Sequence, residues 1–336
     1  MKNKVPLIAL IVNILVTGSL AAQERPAVAP DTLSHWCHYL AGDEMKGRRN
    51  GSPEMKLAAD YIAGVFRNSG LRPVERLGGY FQEYSLQTRN NVTIRERNVV
   101  GMIEGSDPEL KNEWIVLSAH FDHVGIGRPV KDDSIYNGAL DNAAGTVTLM
   151  ALAKLLGSQP EKLQRSVLFV AFSGEEIGMR GSRHFVANSP VPLEQIRLNL
   201  NFEMTGEFKS LGDKLFILTG FRFTDFDELV KAYSQGKEWQ MAEVMKSAEW
   251  VFLSSDNASF AVNRSGGEMS LGIPAFTIVT ADDMTLIHKP SDEPQFIDYE
   301  NMASLVDYLE GLIVFLSGDP LEVSWDEEAF RKAFAR

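Results

Sequence analysis

"LFVAFSGEEIG", residues 168–178, decides how this chain is read. An apolar run without alternation stops at two adjacent carboxylates, Glu175 and Glu176. A strand with one wet face alternates apolar and polar residues, whereas a strand covered on both faces does not. The fuller stretch "RSVLFVAFS" (165–173) therefore reads as a central strand with helices above and below it. Like charges side by side disfavour each other's ionised form, so the pair beyond the strand needs either water or a cation. A solvated acidic loop is the ordinary explanation. The sharper one is a metal held by one Glu, with the other doing acid–base work.

Working outward, helix and strand patterns alternate from about residue 30. "SPEMKLAADYIAGVFRNSG" (52–70) offers Ser52 as N-cap, Pro53 at the first helical position and Gly70 as the stop. Strands are expected at 97–105, 113–122, 165–173, 196–204, 214–220 and 273–279, and helices at 143–157, 181–187 and 223–235. The last helix is expected from near Tyr299, with Met302, Leu305, Val306, Leu309, Leu312, Ile313 and Leu316 on one face. The class is α/β: a three-layer sandwich with a central mixed, largely parallel sheet covered by helices on both faces. No internal repeat or low-complexity linker divides the chain, so one domain over 30–336 is the simplest account.

Ligands of open α/β sheets lie outside the carboxyl ends of the strands. Each apolar run leads to an imidazole or a carboxylate: His120 and Asp122 after "EWIVLSA", Asp141 before the helix at 143, and Glu175 and Glu176 after "SVLFVAF". Glu203 ends "IRLNLNF", and His288 follows "IPAFTIVTADDMTLI". Two His and several carboxylates at one sheet edge form a donor set suited to zinc.

Acidic residues outnumber basic ones, 45 to 33, and no basic run occurs in the body of the chain. Nucleic acid is a poor partner for such a surface. Residues 1–22 are a separate object: "MKNK", an uncharged apolar run, and a small-residue end at Ser19-Leu20-Ala21. This is the pattern of a secretory signal peptide, with a secreted or periplasmic product and no membrane contact if it is removed. An uncleaved anchor is the competing reading, weakened by Pro6 and Asn13. The lone cysteine, Cys37 in "SHWCHYL", makes no intrachain disulfide and reads as a small buried hydrophobe on a short helix.

Several stretches together resemble the M28 family of zinc metallopeptidases: "SAHFDHVG", "NGALDNAAGTVTLMALA", "FVAFSGEEIGMRGS", "NLNFEMTG" and "LIHKPSDE", with "LAGDEMKGRRNGSPEMKLAADYI" and "GIPAF" in support. The resemblance implies two zinc ions. His120 and Glu203 would hold one, Glu176 and His288 the other, and Asp141 would bridge both. Glu175 would be the general base for hydrolysis of peptides at a chain end. Asp122 would orient His120, and Asp292 would do the same near His288. The Asp141–Asn142 peptide would be cis.

Two departures bear on substrate. Glu203 stands where the family more often has Asp, which leaves the exopeptidase direction open. An aminopeptidase is expected first, with a carboxypeptidase or dipeptidase, or a glutaminyl cyclase of the same fold, as alternatives. A carboxypeptidase needs a cation for its substrate's carboxylate, and Arg128, Arg180, Arg183, Arg264 and Lys289 are available. Asn257 stands where His is frequent, within a "SD-x-x-x-F" stretch of Asp256 and Phe260. The following "NRSGGEMSL" reads as a surface loop. His123 reads as a pocket-wall or surface residue, and His184 as a helix-face residue.

Overall fold

The computed structural model describes residues 27–87, 91–243, 248–265 and 268–334. The expected signal peptide, residues 1–22, lies outside the described residues. The strands are β1 (Phe81–Gln87), β2 (Thr93–Ile103), β3 (Trp114–His120), β4 (Gly125–Val130), β5 (Asp133–Tyr136), β6 (Ser166–Phe172), β7 (Ile196–Glu203), β8 (Leu215–Leu218), β9 (Gln240–Met241), β10 (Val262–Ser265), β11 (Glu268–Leu271) and β12 (Ala275–Val279). The helices are α1 (Pro30–Leu40), α2 (Pro53–Asn68), α3 (Gly145–Gly157), α4 (Arg180–Ala187), α5 (Phe226–Ser234), α6 (Ala248–Ser254), α7 (Ala258–Ala261), α8 (Tyr299–Ser317) and α9 (Glu327–Phe334).

Eight strands form the main sheet in the order β1-β2-β6-β3-β7-β12-β8-β9. The inner four, β6, β3, β7 and β12, are mutually parallel. The pairs β1–β2, β2–β6 and β12–β8 are antiparallel. The sheet is mixed with a parallel centre, as the unbroken apolar runs require.

The two faces explain why those runs do not alternate. Val167, Phe169 and Ala171 of β6 join one core with Leu33 of α1, Ala58 of α2, Val147 of α3 and Leu305 of α8. Their neighbours Leu168, Val170 and Phe172 join the other core, with Phe185 of α4, Phe260 of α7 and Phe330 of α9. Successive side chains of a strand point to opposite faces, so a strand between two apolar layers must be apolar throughout. Ser52 caps α2 as expected, its hydroxyl accepting from the Met55 N–H at 3.3 Å. Cys37 is fully buried on α1.

Some elements differ from the sequence expectation. β1 was not singled out, because "FQEYSLQ" is a half-polar edge strand with weak patterning. The segment read as a surface loop forms the β10–β11 antiparallel hairpin; residues 266–267 and the Arg264 side chain lie outside the described residues. α8 is not the last helix, since α9 follows and packs Phe330 against Phe223. Among the described residues, no helix is long and apolar enough to cross a membrane.

Arg48 ties the loops around the sheet edge together. It is fully buried, and its guanidinium donates to the carbonyls of Phe121 (2.8 Å), Leu40 (2.5 Å), Asn137 (2.8 Å) and Gly138 (2.9 Å). One side chain thereby fixes the end of α1, the exit of β3 and the loop that leads to Asp141. Arg48→Met leaves these carbonyls without partners. It should lower unfolding free energy by at least about 3 kcal/mol, measured by urea denaturation; a loss under about 1 kcal/mol would assign the clamp no structural weight.

Candidate metal centre

The parallel strands bring the predicted residues to one edge. His120 is the last residue of β3 and Glu203 the last of β7. Glu175 and Glu176 stand in the turn beyond β6, where consecutive side chains are released from the strand's strict alternation. Asp141 lies in the turn that opens α3, and His288 in the loop after β12. The Asp141–Asn142 peptide is cis, as the resemblance implies.

Asp141 is shared. Its Oδ1 stands 3.4 Å from His120 Nε2, and its Oδ2 stands 3.4 Å from His288 Nε2. His288 Nε2 also lies 2.8 Å from Glu176 Oε2. Two sets of donor atoms result, each gathered within 4.8 Å: His120, Asp141 and Glu203, and His123, Asp141, Glu176 and His288. Donors about 2.0–2.1 Å from a tetrahedral zinc lie roughly 3.3–3.5 Å from each other, which is the separation seen about Asp141. His120 Nε2 is buried without a hydrogen-bond partner. A buried ring nitrogen in that state suits a metal ligand better than a structural imidazole. The donors present fit zinc.

All five residues expected as ligands are thus brought together. Of the two readings for His123, pocket wall or surface, the structure agrees with the first: it is 1% exposed, and its Nδ1 stands 2.9 Å from Glu176 Oε1. Its proximity in sequence to His120 and Asp122 was the available signal, set aside because one His beside a ligand is seldom another. His184 sits on α4 as expected, stacked on Tyr84 with ring centroids 5.0 Å apart.

Electrostatics describe a site that demands positive charge. Burial pushes the Glu175 carboxyl well above the usual carboxylate range; Glu203, Asp256 and Glu176 add to this, against the opposing effect of His120. Burial also raises Glu203 to about 7. Burial alone would raise Glu176, but the imidazoles of His123 and His288 outweigh it and hold the carboxyl below its ordinary value. His288 is pushed up to about 10 by Asp141 and Glu176. Bound cations would relieve the mutual repulsion of these carboxylates.

Asp122 and Asp292 work through the backbone more than the sequence suggested. Asp122 Oδ1 and Oδ2 accept the N–H groups of Glu175 and Glu176, each at 3.1 Å, and Oδ2 also accepts from Asn50 at 2.6 Å. His120 Nδ1 meets the Asp122 main-chain carbonyl at 3.2 Å, while the Asp122 carboxylate is 3.7 Å away. The carboxylate therefore holds the Glu-Glu turn, and the carbonyl orients the ring. Asp292 does not serve His288 as expected: its carboxylate accepts from the N–H groups of Leu140 (2.7 Å) and Asp141 (3.0 Å).

A buried polar relay supports Glu203 and was not read from the sequence. Ser118 donates to Asn201 Oδ1 (3.0 Å), and Asn201 Nδ2 donates to Ser255 Oγ (2.8 Å). Ser255 in turn donates to Glu203 Oε2. The relay occupies one carboxylate oxygen and leaves the other for a cation. Asn257, the departure noted above, is structural: its Oδ1 accepts from Thr277 at 2.8 Å.

A family model for peptidase family M28 matches residues 98–312, the span that carries every donor just described. The chain is 28% identical over 140 residues to aminopeptidase YwaD of Bacillus subtilis, covering 41% of this chain and 28% of that protein. The matched segment thus spans less than a third of that relative. In fold the chain is similar to BSAP, a zinc aminopeptidase from Bacillus subtilis, with TM-score 0.64, 15% identity, and 88% and 96% of the two chains covered. It is similarly close to Bacteroides thetaiotaomicron glutaminyl cyclase, with TM-score 0.62, 16% identity, and 86% and 98% covered. At these identities the structural likenesses establish the α/β fold. The family match covers most of the chain together with its gathered imidazoles and carboxylates, and on that ground the chain belongs to peptidase family M28.

Proposed function

We infer that the protein is a zinc exopeptidase, an aminopeptidase first of all, acting outside the cytoplasm on peptide chain ends. The observation that carries this reading is Asp141, whose two oxygens face different histidines at equal distance. That arrangement offers two cation positions sharing one carboxylate. His120, Asp141 and Glu203 would hold one zinc; Asp141, Glu176 and His288 would hold the other. When bound, the metals supply a nucleophile at neutral pH and stabilise developing oxyanion charge.

The remaining chemistry belongs to the chain's own side chains. Glu175 belongs to neither donor group, so its carboxylate is available to accept a proton from the attacking water. The same carboxyl can then deliver that proton to the leaving amine nitrogen. Asp122 fixes the Glu175 backbone through its N–H, and so sets where the carboxylate stands. Among the cations considered for a carboxylate-binding role, Lys289 donates to the Thr285 carbonyl and Arg180 to the Ile177 carbonyl. Export rests on the pattern of residues 1–22 alone.

Metal analysis joined to a substrate screen tests this. The expected result is hydrolysis of aminoacyl anilides and free peptides from the N-terminal end, loss of activity with a chelator, and recovery with zinc. Cleavage of N-blocked peptides from the other end would replace the aminopeptidase reading with a carboxypeptidase. Cyclisation of N-terminal Gln peptides without hydrolysis would replace it with a glutaminyl cyclase.

A further inference from the structure

We propose that His123 is a fourth protein ligand, closing one metal position together with Asp141, Glu176 and His288 and leaving the open coordination position to the group of His120, Asp141 and Glu203. The inference rests on the metallopeptidase reading above and deepens it by making the two positions unequal.

Four observations place His123 there. Its Nδ1 is 2.9 Å from Glu176 Oε1 and 3.9 Å from Asp141 Oδ2, among the donors rather than behind them. Its ring meets that of His288 edge-on, with centroids 5.5 Å apart, so the two imidazoles converge on the same carboxylates. Neither ring nitrogen has a hydrogen-bond partner of acceptable geometry, although the residue is buried. A buried imidazole kept for packing finds a partner for at least one nitrogen. Finally, Gly138 makes the room: at φ +62° it has no side chain, and a Cβ there would come within 2.4 Å of the His123 ring. The backbone is arranged so that this ring can enter the cluster.

The consequence follows from coordination chemistry. A zinc with four protein donors is closed and serves structure or charge, whereas a zinc with three keeps a position for water or substrate. The closed position should fill first and release its metal last. The open one should be the exchangeable position, on the side of Glu203 and its hydroxyl relay.

The test is a stepwise cobalt titration of the metal-free protein, wild type against His123→Asn. In the wild type, the first equivalent should give the intense visible band of tetrahedral cobalt. X-ray absorption of the one-zinc wild-type protein should report two imidazoles, which requires no variant. His123→Asn should bind the first cobalt more than about 100-fold more weakly, beyond the ten- to hundredfold loss usual for an outer hydrogen bond, and the band should weaken as water enters. A single imidazole in the one-zinc wild type, or an unchanged band in the variant, would overturn the role of His123 and leave the peptidase reading standing. A wild-type protein that binds no metal would overturn both.

Discussion

Glu175→Gln will cut turnover by about 10²–10⁴-fold, the usual contribution of a positioned acid–base group, while zinc content and KM stay near wild-type values. The substitution is nearly isosteric and removes one property, the capacity to take a proton. Glu175 belongs to neither donor group, so the metals keep their ligands. The Glu175 N–H still donates to Asp122 Oδ1, and the turn is kept. Stability has a definite sign too. Burial raises the Glu175 pKa in the folded metal-free chain, so the folded state holds the proton more tightly than the unfolded one. Stability is then lost as pH rises from the unfolded value towards the folded one. A neutral Gln avoids that loss, and the metal-free variant should resist urea at pH 7 at least as well as wild type. Rate assays, metal analysis and denaturation check the three parts. Loss of one zinc in this variant would mean that Glu175 and Glu176 have exchanged roles.

Asp141→Asn should be the most damaging single change at the centre. Both oxygens of Asp141 face imidazoles, and both donor groups contain it. An amide presents one oxygen and no charge, so both positions weaken together. The expected outcome is fewer than about one zinc ion per chain after dialysis and activity below ~10⁻⁴ of wild type, because the source of the nucleophile goes with the metals. The backbone should survive, since the N–H groups of Leu140 and Asp141 that bond Asp292 are untouched. Retention of two metals with near-normal activity would remove the bridging role and the main support for a paired centre.

Much of this was legible in the sequence. The central strands showed because burial between two apolar layers forces an unbroken run, as in β6. The ligand set showed because each donor follows such a run, and one rule about strand ends links them. What stayed hidden depends on partners distant in the chain. Arg48 is one basic residue in "KGRRNG", and nothing local announces that its partners are carbonyls of Leu40, Phe121, Asn137 and Gly138. Asp122 and Asp292 were recognised as supports but matched to imidazoles, whereas they accept backbone N–H groups that no motif displays. His123 shows in the sequence only as a neighbour of His120 and Asp122; that its ring reaches Glu176 depends on the space left by Gly138, a relation of depth rather than of spacing. β1 was passed over because an edge strand carries a diluted pattern.

The reach of Asp292 back to the peptide groups of Leu140 and Asp141 has a consequence for synthesis. Chains fold from the N-terminus as they emerge, yet here the support for Asp141 and the donor His288 arrive in one late segment. A nascent chain that has not yet exposed Asp292 can display His120, Asp141 and Glu203 but cannot assemble the second group. The paired centre is therefore completed only when most of the chain has been made, because His288 and Asp292 both lie in its last sixth.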